Sequence, residues 1–201
     1  MEVISTWQAI KENKLSDEPA LRADAKKNRE LILSAAEELF LEKGAGVPLE
    51  EVAKRAGVGI GTLYRRFPTR EALLAATSNE RFLSLAETSR TRDPDLTPGD
   101  AVRAYLEDLA RNTSTYQSLA VSIGTVIQCG TPGCIATTAE GRRLLQRGQE
   151  AGTIRRDVTY EDFIYVVTAI SIAIENDDSS KSRIGHLVDL FLNGITVRGS
   201  D

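Results

Sequence analysis

The stretch LEEVAKRAGVGIGTLYRRFPTREALL, Leu49 to Leu74, decides the fold. Leu49, Val52, Ala53 and Ala56 recur at the i, i+3, i+4, i+7 spacing of one buried helical stripe, which leaves Lys54 and Arg55 facing outward. Pro48 suits the first turn of that helix, where an amide N–H would have no acceptor, and Gly57 suits a left-handed residue just past its end. The turn is therefore tight. After Val58 a second short helix presents Leu63 and Phe67 one turn apart as its inward face, while Thr62, Tyr64, Arg65 and Arg66 point away from the core. Hydroxyls and guanidinium groups bond phosphate oxygens and base edges. With an amphipathic helix from Arg29 in front of it, this order predicts a helix-turn-helix whose last helix is offered to the major groove of DNA.

The segment resembles the DNA-binding domain of the tetracycline-repressor (TetR) family of transcriptional regulators. The matching residues are Ile32, Ala35, Ala36, Phe40 and Gly44, then Leu49, Val52, Ala53, Ala56, Gly57 and Val58, then Gly61, Thr62, Leu63, Tyr64, Phe67, Glu71 and Leu74. The resemblance implies that Thr62, Tyr64, Arg66 and Arg70 hold the DNA backbone, Arg70 standing where the family usually has Lys. Two departures matter. Gly59, Ile60 and Gly61 stand where relatives often carry long polar side chains, so direct readout rests on Arg65, with Ile60 against a thymine methyl. Pro48 replaces the Thr or Ser that often caps the preceding helix and bonds a phosphate. The remaining DNA-facing candidates are the basic residues Lys26, Lys27 and Arg29.

Composition agrees with this reading: 201 residues with 41% hydrophobic content suit one compact chain of one or two domains. The net charge of -4 is no signature of a nucleic-acid binder, but its distribution is uneven. Residues 22–70 hold ten Lys/Arg against seven Asp/Glu, so the basic charge gathers where the motif lies. No basic region followed by a long apolar stretch opens the chain, and the longest apolar run, Phe163 to Ile174, is shorter than the roughly 20 residues needed to span a bilayer. A soluble, cytoplasmic protein with no membrane partner is expected. In the leader, residues 1–22, Val3, Ile4, Trp7, Ile10 and Lys14 keep helical spacing, which suits a docked amphipathic segment more than a DNA-touching arm.

Beyond Leu74 the chain reads as helices separated by SRTRDPDLTPGD, QCGTPGC and ENDDSSKSR. Thr97 before Pro98 starts a helix with Val102, Tyr105, Leu106 and Leu109 on one face. Tyr116, Leu119, Ala120, Ile123, Val126 and Ile127 mark a next helix, and another is expected over 137–152. No alternating strand pattern appears, so the expected fold is all-α: a helix-turn-helix domain over 23–74 and a larger helical effector-binding and dimerisation domain over 75–201. The helix around Phe163, Ile164, Val166, Val167, Ile170, Ile172 and Ile174 has almost no polar side, and the last one carries a broad stripe through Ile184, Leu187, Val188, Leu190, Phe191 and Ile195. TetR-family proteins pair their last two long helices into a four-helix dimer interface. By that resemblance Phe163, Val167, Ile170, Ile174, Ile184, Leu187 and Phe191 are the expected homodimer contacts, spacing two recognition helices about 34 to 36 Å apart.

Other chemistry finds little support. Gly57, Gly59 and Gly61 form a G-x-G-x-G string, but a dinucleotide loop needs a buried strand before it and here an amphipathic helix precedes it. His186 is the single histidine, no cluster suits a metal, and no Ser/His/Asp set is spaced for nucleophilic catalysis, so neither an enzyme nor a cofactor is expected. The expected function is a homodimeric repressor of a palindromic operator, released when a small-molecule effector enters near Tyr105, Tyr116, Ser122, Ile123 and Val126. The competing reading is a DNA-binding regulator without a small ligand, controlled by a protein partner or by oxidation of Cys129 and Cys134, whose spacing permits a disulfide.

Overall fold

The computed structural model describes residues 2–116, 118–175 and 180–196, with side chains over 23–116, 118–175 and 182–196. Ten α-helices occupy those residues. They are α1 (Glu2–Lys43), α2 (Leu49–Arg55), α3 (Ile60–Arg66), α4 (Arg70–Thr77), α5 (Asn79–Arg92), α6 (Pro98–Thr113), α7 (Ile123–Gln128), α8 (Pro132–Glu150), α9 (Tyr160–Ile174) and α10 (Ser180–Ile195). The only β pairing among the described residues is one isolated bridge between Ile154 and Thr196. No helix there is long and apolar enough to cross a membrane. The leader's backbone is the first part of α1, while the stripe from Val3 to Lys14 lies outside the described side chains.

The first four helices close around Ile32, Ala36, Phe40, Val52, Leu63 and Leu74, all fully buried. This small core holds α2 and α3 by apolar packing and leaves their charged faces in water. The larger domain is built on the pairing of α5 with α8 and of α6 with α9 and α10. The start of α8 is pressed onto the joint between α4 and α5. A side chain at Gly133 would put its Cβ 2.3 Å from the Asn79 carbonyl oxygen, so only glycine permits this approach. The Gly133 N–H then donates to Asn79 Oδ1 at 2.9 Å.

Two boundaries differ from expectation. A single helix through Tyr116 to Ile127 does not form: α6 stops at Thr113, Ser118 takes φ 64°, a 3-10 turn spans Ala120–Ser122, and α7 is only six residues long. The left-handed Ser118 reverses the chain and lets Tyr116 turn inward toward α1. The helix expected from residue 137 begins at Pro132, because Thr131 Oγ1 accepts the Cys134 N–H and proline fits the first helical position. A capping box between Thr159 and Asp162 starts α9.

Five of the seven expected dimer contacts are buried within the single chain. Phe163, Val167, Ile170, Ile174 and Ile184 already lie in the protomer's own core. The apolar surface left to water on these helices is Tyr165, 71% exposed, Leu190, 57% exposed, and Ile172, beside the half-buried Leu187 and Phe191. A helix apolar all round has two faces to bury, and periodicity does not say which of them the same chain covers.

Candidate DNA interface and effector cleft

Gly57, at φ 67°, makes the turn between α2 and α3, and Val58 N–H donates back to the Ala53 carbonyl. Leu63 and Phe67 anchor α3 from below. Its outer face carries Ile60, Gly61, Tyr64, Arg65 and Arg66, all exposed, with Thr62 half-buried. Arg65 Nη2 donates to Thr62 Oγ1 at 3.1 Å, which holds that guanidinium along the helix. Arg66 and Lys27 have no hydrogen-bond or ionic partner among the described residues. Lys26 sits 4.0 Å from Glu30, and Arg29 lies over the Phe67 ring at 5.7 Å. Arg55 is also exposed but is committed: it donates to Glu38 at 3.0 Å and Glu42 at 3.5 Å, pinning α2 to α1, and those carboxylates raise its pKa.

Two expectations at this surface change. Pro48 precedes α2 as its N-cap, one position earlier than expected, and supplies no side-chain cap. Its carbonyl instead accepts the Glu51 N–H at 3.0 Å. Arg70, expected to hold phosphate, directs Nη1 to the carbonyl oxygens of Ala45 at 2.8 Å and Val47 at 2.5 Å. These are carbonyls in the turn after α1, so the guanidinium staples that loop to the start of α4.

The five residues expected to line an effector site are redistributed. Tyr105 is fully buried, donating its hydroxyl to the Thr137 carbonyl at 2.9 Å and lying 3.2 Å from the Tyr160 hydroxyl. Burial first, then Tyr160, pushes its pKa well above the ordinary tyrosine value. Tyr116 faces α1, and Ile123 and Val126 are core; Ser122 is half-buried beside them. None of the five lines the neighbouring cleft of about 410 Å³ formed by α7, α8 and α9. Its walls include Ile127, Ile164 and the Tyr160 ring, with Thr125, Gln128, Thr138 and Arg142 as polar groups. Arg142 lies over the Tyr160 ring at 5.6 Å and pairs with Glu161 at 3.5 Å. Periodicity marks Tyr105, Ile123 and Val126 as buried; on α7 the residues bordering the cleft are Gly124, Thr125, Ile127 and Gln128, and no residue of α6 lines it.

Both cysteines are free thiols. Cys129 is exposed and bonds the Thr125 carbonyl at 3.4 Å, while Cys134 is buried and bonds the Val126 carbonyl at 3.3 Å. Burial raises the pKa of each. His186 is exposed on α10, and no group of three or more potential metal ligands exists among the described residues.

These elements define a helix-turn-helix DNA-binding module carried by a larger all-helical domain. Residues 32–77 match the family described as bacterial regulatory proteins, tetR family, and residues 97–197 match the C-terminal domain of SbtR-like transcriptional regulators. The crystal structure of the TetR transcriptional regulator SCO0520 from Streptomyces coelicolor is 30% identical, covering 84% of this chain and 98% of that one, with a TM-score of 0.51. RolR, solved in complex with resorcinol, shares the fold at a TM-score of 0.65 and 20% identity, over 88% of this chain and 91% of its own. An HTH-type transcriptional regulator of Staphylococcus aureus (strain USA300) is 43% identical over 54 residues, a match spanning 26% of this chain and 29% of that relative's length. The chain belongs to the TetR family of transcriptional regulators.

Proposed function

We propose that this regulator is a cytoplasmic homodimeric repressor that binds a palindromic operator and leaves it when a small, partly apolar molecule occupies the cleft between α7, α8 and α9. The observation that carries the DNA half is the face of α3, where Arg65 and Arg66 stand exposed with no carboxylate partner among the described residues. Arg65 reads a base, with Ile60 against a thymine methyl, and Arg66, Thr62 and Tyr64 hold phosphates. Lys26, Lys27 and Arg29 add positive charge beside them. The units are residues 23–74 for DNA and 75–201 for effector and dimer. The dimer surface is the outer side of α9 and α10, Tyr165, Ile172, Leu187, Leu190 and Phe191, an apolar patch that a single chain leaves wet.

A volume of about 410 Å³ falls in the range of small-molecule sites. The route from it to DNA is short. Thr138 and Arg142 are on α8, whose first turn is bonded through Gly133 to Asn79 at the joint of α4 and α5. A ligand that displaces α8 therefore moves that joint, and α4 with α3, which changes the separation of the two recognition helices. A coupling of about 1 to 3 kcal/mol suffices to alter occupancy.

Selection from random duplexes, followed by light scattering and a ligand screen on the selected duplex, tests this. A palindrome, a dimeric mass and a ligand that both stabilises the protein and releases the duplex are expected. Leu190→Glu should give monomers that bind one half-site weakly. A wild-type mass of one chain at micromolar concentration would remove the dimer, and stabilising ligands that never change DNA affinity would remove the effector.

A further inference from the structure

Tyr116 is buried to 1% exposure. Its ring meets Phe40 of α1 at 5.5 Å between centroids, and the guanidinium of Arg81 on α5 lies over its face at 4.4 Å. Arg81 Nη1 also donates to the Tyr116 hydroxyl at 2.9 Å and reaches Glu37 of α1 at 3.4 Å, while Nη2 donates to Ser78 Oγ at 3.1 Å. Ser78 is the buried residue that ends α4 and begins α5. One tyrosine and one arginine thus touch α1, the α4–α5 joint and the loop after α6. That loop is fixed from the other side, because Ser118 donates both its N–H and its hydroxyl to the Glu175 carboxylate just past the end of α9.

A residue needed only to fill space would require a ring and no hydroxyl. Here the buried hydroxyl and the ring face both hold the same cation, and that cation holds the joint. We propose that Tyr116, acting through Arg81, is a positioning residue: it fixes the angle of the DNA-binding unit against the helices that form the dimer, and so sets which half-site spacing the protein accepts. This rests on the dimeric operator reading. Adding or removing one base pair shifts a half-site about 3.4 Å along the duplex and roughly 35° around it, which a rigidly held pair of recognition helices cannot follow.

The experiment measures binding of wild type, Tyr116→Phe and Glu37→Ala to the selected palindrome and to duplexes with one base pair inserted or deleted at its centre, alongside their melting temperatures. Wild type should lose about tenfold or more on the altered duplexes, and each variant should lose only about threefold, with melting temperatures within a few degrees of wild type. Glu37 is half exposed at the surface, so its variant reports on the link without disturbing a core. Tyr116→Phe discriminating as sharply as wild type overturns the proposal. So does a uniform loss on all three duplexes that follows a loss of stability, which would make Tyr116 a packing residue. A wild-type protein indifferent to spacing overturns the dimeric operator reading itself, and the positioning role with it.

Discussion

On α3, Arg65 and Arg66 reach into water with no carboxylate to meet them among the described residues, whereas between α5 and α8 Arg90 and Arg143 are both committed to Glu140, which is fully buried. Arg90 Nε donates to Glu140 at 3.2 Å, Arg143 through Nε and Nη2 at 2.9 and 2.7 Å, and Ser89 Oγ completes the shell at 2.9 Å. Arg143 and Arg147 both reach on to Asp93. The same residue type thus does two things, and what separates them is whether the fold supplies an anion. Where it does, the arginine joins helices; where it does not, the guanidinium is left open to an anion from outside, and DNA is the polyanion that this family binds.

The largest effect expected from that contrast is on DNA. Arg65→Ala should cost about 1 to 3 kcal/mol per half-site on the selected operator and little on scrambled duplex, because a base contact contributes only where its base is present. Folding stability should barely change, since the residue makes only one hydrogen bond among the described residues, to Thr62. Equal weakening on operator and scrambled duplex would show that Arg65 does not read a base.

Glu140→Ala tests the opposite pole. Removing one member of a buried ionic group leaves the others uncompensated, at about 3 kcal/mol, the low end for such breaks because Arg90 and Arg143 remain partly in water. Urea unfolding measures it. Burial works to raise the Glu140 pKa, and the bonds from Arg143, Ser89 and Arg90 together outweigh it, leaving the carboxyl below the ordinary glutamate value. A folded pKa below the unfolded one gives stability that is present above the ordinary glutamate range and is lost as pH falls through the folded value. Glu140→Gln should therefore flatten the acid side of the stability profile relative to wild type, and an unchanged profile would place the acid dependence elsewhere.

The sequence spoke clearly where one short stretch settles its own geometry. Gly57 in the left-handed region, and Leu63 and Phe67 one turn apart, need no distant residue to be understood. It was silent where two distant stretches meet. Phe163, Val167 and Ile174 are legible as buried, but not as buried already within the single chain, where α9 packs chiefly on α6 and α10. Tyr116 was legible as apolar-facing, but its meeting with Phe40 and Arg81 depends on the left-handed Ser118, a conformation that no glycine or asparagine announced. Two further helix starts are local. Thr131–Pro132 repeats the Thr97–Pro98 start, and Thr159 with Asp162 spells a capping box. The acceptors of Arg70 are backbone carbonyls, which no pattern of residue types encodes.

That last point leads to the smallest expected effect and the finest test of the contrast, Arg66 against Arg70. Arg66 has no partner within the described residues, so in the complex it is available to phosphate; each contact contributes about 0.9 to the slope of log affinity against log salt, and a dimer loses two. Arg66→Ala should flatten that slope by about 1.8 and leave discrimination between duplexes as it was. Arg70 carries the same charge a few residues on, but its Nη1 donates to two carbonyl oxygens of the turn after α1. Arg70→Ala should change the slope by much less than 1.8 and instead lower folding stability by about 1.5 to 3 kcal/mol, as expected for hydrogen bonds to a charged group. Salt titrations and urea unfolding of the two variants side by side decide it. If Arg70→Ala flattens the slope as much as Arg66→Ala while stability is unchanged, then the guanidinium leaves its carbonyls for phosphate when DNA binds, and the distinction between committed and available arginines fails at that residue.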